Sequence, residues 1–194
     1  MPSVGEVRAL LDAFVPDADP RSQRSVALVR ELLERASDPF ARTEYTPGHL
    51  TASGVVLSPN HDHVLLVYHR RLDRWLQPGG HIERDDPTVV AAARREVLEE
   101  TGVTAFPVAG ARVVGVDVHS IPGAKGEPPH CHHDLALAFE SRQTDLRPHE
   151  EVRDAVWCPV DQLDRYAVDA ALRASVARAL QPGAMGWVGR NDRV

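Results

Sequence analysis

Cysteine is almost missing from this sequence: Cys131 and Cys158 are the two in 194 residues, and they follow no repeating spacing. So sparse a set excludes a disulfide framework and leaves reduced thiols as the expectation. Lysine is scarcer, since Lys125 is the single lysine among 22 basic residues, and aromatic residues amount to 5%. Positive charge is not in excess either. The formal net charge of −6 speaks against broad binding to a nucleic acid polymer. It does not exclude a nucleotide, whose phosphates a metal can carry. No apolar run reaches the length of a membrane span, and the opening residues MPSVGEVRALLDAF lack the basic-then-apolar order of a signal peptide. A cytoplasmic protein with no membrane partner is the expectation.

What is present is ordinary for a globular chain: 43% hydrophobic and 26% charged residues, in a length that suits one domain with an appendage. Residues 1–45 read as a helical extension. Val4, Val7, Leu11 and Phe14 keep helical spacing, Asp19-Pro20 resets the chain with a cap followed by proline, and Val26, Val29 and Leu33 resume the stripe. Two amphipathic helices of this kind pack on the core or on a partner subunit, as in a homodimer. From residue 46 the pattern changes to strands at His49–Leu57 and His63–His69, a short one at Trp75-Leu76-Gln77, and further strands near Arg112–Ser120 and His132–Glu140. A last helix is expected near Val168–Leu180, closing a domain of residues 46–181, and the glycine-rich 182–194 reads as a flexible tail. Sheet and helix in this order predict an α/β sandwich.

The segment PGGHIERDDPTVVAAARREVLEETGV, Pro78–Val103, carries the chemistry. Asp86-Pro87 reads as N-cap and first helical residue, and Gly102 sits where a left-handed C-terminal residue is wanted. Val90, Ala93 and Val97 form the apolar stripe. Glu96, Glu99 and Glu100 converge within an arc of roughly 100°, where they repel one another unless a cation intervenes. Magnesium and manganese prefer such oxygen ligands. The Gly79-Gly80 pair, read as a turn, lets a backbone carbonyl approach the ion. A solvated acidic face with surface ion pairs to Arg95 is the alternative.

Gly80, Arg95, Glu96, Val97, Glu99, Glu100, Gly102 and Val103 together resemble the Nudix box, G-x5-E-x7-R-E-U-x-E-E-x-G-U, with U a bulky aliphatic residue. Two features depart from the pattern. Its first glutamate is Asp86 here, and eight residues rather than seven separate it from Arg95. In the family that acid braces the box arginine, so the shortening puts the brace in question, with Glu83 and Asp85 as substitutes. The resemblance covers roughly Tyr45–Arg165. It implies the Nudix α/β/α sandwich with a mixed sheet, and hydrolysis of a nucleoside diphosphate linked to another group by water attack on phosphorus. It further implies Mg2+ or Mn2+ held by Gly79, Glu96, Glu99 and Glu100, with Arg95 orienting the acids. The substrate is then a small nucleotide-like diphosphate, either a nucleoside triphosphate or a nucleotide sugar. Glu96 is one candidate general base. Because the family also draws its base from loops outside the box, Glu150 and Glu151 are others, and Glu151 joins Glu96 and Arg95 in the catalytic set.

Histidine is the second concentration. Of ten histidines, His119, His130, His132 and His133 fall within fifteen residues, and His81 follows the glycine pair. Along an extended chain His130, His132 and Asp134 share a face while Leu135, Leu137 and Phe139 take the other. His81, His130, His132 and Asp134 are therefore candidate substrate-binding residues, with transition-metal binding and simple solvation as the alternatives. Two other readings of the chain are weaker. Isopentenyl diphosphate isomerase is similar in fold and places a histidine after a Cys-Gly turn, but Gly79 stands where its cysteine belongs. A non-catalytic ligand-sensing or interaction domain of this fold is expected to lose box acids, and all three helix glutamates are present.

Overall fold

The computed structural model describes residues 1–16, 19–108, 110, 112–123, 126–150 and 152–181. The expected tail and Glu151 lie outside the described residues. Strands β1 (His49–Leu57) and β2 (His63–His69) form where β-branched and apolar residues concentrate. β1 runs parallel to β7 (His130–Glu140), in register from His49 opposite His132 to Leu57 opposite Glu140. Its other edge is shared. The short β4 (Gly79–His81) pairs antiparallel with it at Thr51 opposite His81 and Ser53 opposite Gly79, and β2 joins at Leu57 opposite Val64. β2 also pairs with β3 (Arg74–Leu76) and β8 (Val152–Pro159), while β7 carries β6 (Val113–Ile121) and the two-residue β5 (Phe106–Pro107). The sheet is mixed, as the resemblance implies.

Two corrections to the sequence reading concern backbone. Gly79-Gly80 is a strand and not a turn, and β5 has no counterpart in the sequence reading because two residues are too few to show a period. The C-terminal end of the sheet is followed by a 3-10 segment (Val160–Tyr166) before the last helix.

Period-two alternation then assigns the layers. Leu50, Ala52 and Val56 of β1 join Leu135, Leu137 and Phe139 of β7 beneath α3 (Val89–Thr101), which buries Val89, Ala93 and Val97. Val55, Leu57, Ala136 and Ala138 face the opposite way, toward Leu172 and Val176 of α4 (Ala170–Ala179). The result is an α/β/α sandwich. Helices α1 (Val4–Ala13) and α2 (Pro20–Arg35) bury Val7, Leu11, Val29, Leu32 and Leu33 in the same cluster as Val97 and Phe139. At roughly 1.5–3 kcal/mol for each fully buried aliphatic side chain, they are stabilising parts of this core. Of the two destinations open in the sequence, the stripes take the core of their own chain. The Glu6 carboxylate of α1 also accepts from the backbone N–H of Val89, at 2.9 Å, tying α1 to the start of α3. No helix among the described residues is long and apolar enough to cross a membrane.

Candidate functional site

Helix α3 starts two residues later than its sequence suggests. Thr88 is the N-cap, its hydroxyl accepting from Ala91 N–H at 3.0 Å, and Gly102 closes the helix at φ 72° as expected. Asp86 is released from capping for a different task. It is buried, takes the Glu83 N–H at 2.8 Å, and receives Arg95 through Nε at 3.1 Å and Nη2 at 2.9 Å. A two-pronged guanidinium–carboxylate pair of this kind fixes geometry as well as charge. The brace that the shortened side chain put in question is therefore made by Asp86 itself.

The remaining donors of Arg95 point at the acids. Nη2 reaches the His81 carbonyl at 2.8 Å, and Nη1 spans Glu96 and Glu99 at 2.9 Å each. Hydrogen bonding to Asp86, with Glu96 adding to it, holds the guanidinium pKa above its ordinary value even though burial opposes this. Glu100 is buried and accepts the Gly79 N–H at 3.0 Å. The glycine pair acts by close approach, since a Cβ on Gly80 would stand 2.8 Å from the Glu96 carboxylate. Three carboxylates, one arginine and the strand β4 thus form an acidic wall.

Another part of the same cleft is bordered by a wall of imidazoles, His81 and His132, with His49 buried behind them. His49, His81 and His132 come from β1, β4 and β7, and their ring centroids lie 4.8 to 5.2 Å apart. Burial keeps them neutral, with help from mutual repulsion: the pKa of His81 is lowered to about 4 and that of His132 to about 2, while His49 is lowered as well. Asp134 does share this face, as its spacing predicts. Buried beneath the cleft, it accepts from Thr51 Oγ1 at 3.0 Å and Ser53 Oγ at 2.6 Å, and desolvation raises its pKa against those hydrogen bonds. His119 lies farther along the wall, where burial lowers its pKa but the hydrogen-bonded Asp117 carboxylate at 3.0 Å and the charge of Asp134 together raise it above its ordinary value. His130 is brought near but does not line the cleft. Its Nδ1 reaches the Pro128 carbonyl at 2.8 Å, and its ring packs against Tyr45 and His49.

Between these walls is a cleft of about 430 Å³, lined by Gly79, His81, Arg95, Glu96, Glu99, Glu100, His132 and Asp134. Glu150 is exposed and does not line it, and Glu151 lies outside the described residues. The sequence reading missed Arg21, Arg42, Arg71, Arg74 and Arg178, which also line the cleft. They have no shared local period, so only tertiary structure could collect them. It also missed His49, Thr51 and Ser53, whose strand alternation places them on one face but whose chemistry is too common in β-strands to signal a site. Carboxylates, cations and neutral imidazoles in one cleft can hold a divalent ion and a polyanion side by side.

A model of the NUDIX domain matches residues 48–179. Among curated proteins, an 8-oxo-(d)GTP phosphatase of Mycolicibacterium smegmatis is 36% identical over 98 residues, which are 50% of this chain and 27% of that protein. Phosphatase NudJ of Escherichia coli is 58% identical over 33 residues, 17% of this chain and 21% of the relative. The chain thus spans about a quarter of the length of these relatives. Among solved structures, the NUDIX domain of Shewanella oneidensis NrtR complexed with ADP ribose aligns with a TM-score of 0.51 at 19% identity, covering 67% of this chain and 84% of that one. A NUDIX family hydrolase from Clostridium perfringens aligns with a TM-score of 0.50 at 22% identity, covering 68% and 94%. At these identities the likeness is one of fold. The family match begins one residue before β1 and ends on the last residue of α4, so it takes in the whole sandwich apart from α1 and α2, and this chain belongs to the NUDIX domain family.

Proposed function

We propose that the chain is a metal-dependent pyrophosphohydrolase that cleaves a nucleoside diphosphate linked to another group by water attack on phosphorus. The observation that carries this reading is the placing of Glu96, Glu99 and Glu100 in one cleft with the arginines above. The donor set fits Mg2+ or Mn2+, being all carboxylate oxygen with the Gly79 carbonyl as the fourth candidate ligand. Space fits too, since Gly80 withholds the Cβ that would crowd Glu96. Such an ion supplies neutralisation of phosphate charge and acidifies a nearby water.

The side chains have separable tasks. Arg95 is a positioning residue, anchored by Asp86 and the His81 carbonyl so that Glu96 and Glu99 keep their spacing. Glu96, nearly buried, is our candidate for taking the proton from the attacking water, and Glu151 is the second. Among the described residues the ion pairs of Arg42 and Arg74 are long, 3.8 Å to Glu127 and 3.9 Å to Asp169, and these arginines can exchange them for substrate phosphates. His81, His132 and Asp134 line the side toward the rest of the substrate.

The test is a panel of nucleoside triphosphates, 8-oxo-dGTP, nucleotide sugars and ADP-ribose with Mg2+ in water enriched in oxygen-18. Phosphate products carrying one label and abolished by chelator are expected. An inactive panel, with binding that ignores Mg2+, would instead support a ligand-sensing domain.

A further inference from the structure

We propose that His49, His81 and His132 form a second metal site, separate from the box carboxylates and suited to a borderline transition-metal ion of the zinc class. The three ligand nitrogens lie within 4.8 Å of one another. A tetrahedral ion with Zn–N of about 2.0–2.1 Å asks for about 3.4 Å between nitrogens, so the rings need to close by at most about 1.4 Å. His81 and His132 keep partial exposure to the cleft and can rotate, whereas His49 is buried and fixed.

His49 is the anchor. Its Nδ1 lies 3.1 Å from the Glu44 carbonyl, which accepts only from a protonated nitrogen, so the lone pair is on Nε2. That Nε2 is buried and has no hydrogen-bond partner among the described residues. An orphaned buried acceptor is costly unless something meets it. A ligating histidine ordinarily donates its other ring N–H to a carbonyl or carboxylate, which is the arrangement at His49. Strand register supplies the other two rings: His132 stands opposite His49 on β7, and His81 stands opposite Thr51 on β4.

The donor type separates this site from the box. Imidazole nitrogens suit zinc, nickel, cobalt and copper, while magnesium keeps to oxygen. β4 links the two, because Gly79 meets Glu100, Gly80 meets Glu96 and His81 joins the imidazoles within three consecutive residues. With three protein ligands, a fourth position is left on the side where His81 and His132 border the cleft.

Chelator-stripped full-length protein, held in saturating Mg2+, is titrated with Zn2+ and separately with Co2+. One equivalent of Zn2+ is expected, together with a Co2+ visible spectrum of nitrogen-ligated low-coordinate type that Zn2+ displaces. His81→Gln and His132→Gln should each weaken Zn2+ binding about 100-fold or more. Glu99→Gln should retain the full equivalent. The proposal is overturned by no uptake in the presence of Mg2+, by wild-type affinity in folded histidine variants, or by loss of Zn2+ in Glu99→Gln. The wild-type spectrum decides even where a variant fails to fold. Magnesium-dependent turnover is measured alongside, and since neither result requires the other, the hydrolase reading stands or falls separately.

Discussion

The acidic wall and the imidazole wall of the cleft share β4, yet one is assembled along a single helix and the other across three strands. On α3 the acids repel one another, and Arg95, clamped by Asp86, is the internal cation that keeps them together. On β1, β4 and β7 the imidazoles are neutral because burial, with mutual repulsion, suppresses their charge. The comparison teaches that the same kind of crowding has two remedies. Charged groups are held by a counter-ion, whereas titratable groups can give up the charge.

Removing the counter-ion should have the largest effect. Arg95→Met leaves Asp86 buried without its partner and Glu96 and Glu99 unneutralised, so about 3–5 kcal/mol of stability should be lost in urea unfolding. A loss below about 1 kcal/mol would mean that the clamp is not what holds the acidic wall. Next come Glu99→Gln and Glu100→Gln, which keep volume and an acceptor oxygen but remove one charge. Each should slow turnover about 100-fold or more, roughly 2.7 kcal/mol, while the fold persists. Wild-type turnover in both would remove α3 from the chemistry.

Lowering the pH should separate the walls, because it adds positive charge to the imidazoles and none to the carboxylates. The folded pKa values of His81, about 4, and His132, about 2, lie below the unfolded value near 6.5, so the unfolded state binds more protons as the pH falls below that value. Their contribution is therefore intact above about pH 6.5 and is lost as the pH falls toward the folded values. Allowing for solvent screening, the loss is on the order of 1 kcal/mol per imidazole by pH 5. Thermal melts from pH 7.5 to 5 read it, and His81→Gln should flatten the slope. A slope unchanged in that variant would show that His81 protonates freely in the folded protein. The smallest effect is at Glu6. Truncating it to alanine removes the acceptor for Val89 N–H and a negative charge at the start of α3, costing about 0.5–1 kcal/mol and lowering Tm by about 2 °C. Mg2+-dependent turnover should stay unchanged, since the support lies at the far end from Glu99 and Glu100.

Elements with strong local signals were legible. The stripes of α1 and α2, the Asp19 cap, β1, β2 and the Gly102 stop appear where their residues indicate. Asp86 reads as a cap in the sequence but braces Arg95 in the structure, because an aspartate before proline has two uses and only burial tells them apart. The glycine pair suggests a turn because glycine permits one, but here a neighbouring strand and the Glu96 carboxylate require its lack of a side chain. His130 was grouped with His132 and Asp134 on correct alternation, but the Pro128 carbonyl and the Tyr45 ring draw it aside.

By itself the sequence determined the acidic wall, because residues three and four apart on a helix are neighbours in any fold that keeps the helix. It also determined that Leu135, Leu137 and Phe139 oppose His132 and Asp134, since strand alternation is equally local. Tertiary structure decided the rest. That His49 meets His132, that His81 lies beside them and that Asp86 reaches Arg95 depend on strand register and on burial, which arise from contacts between segments distant in the chain and leave no period in any one of them.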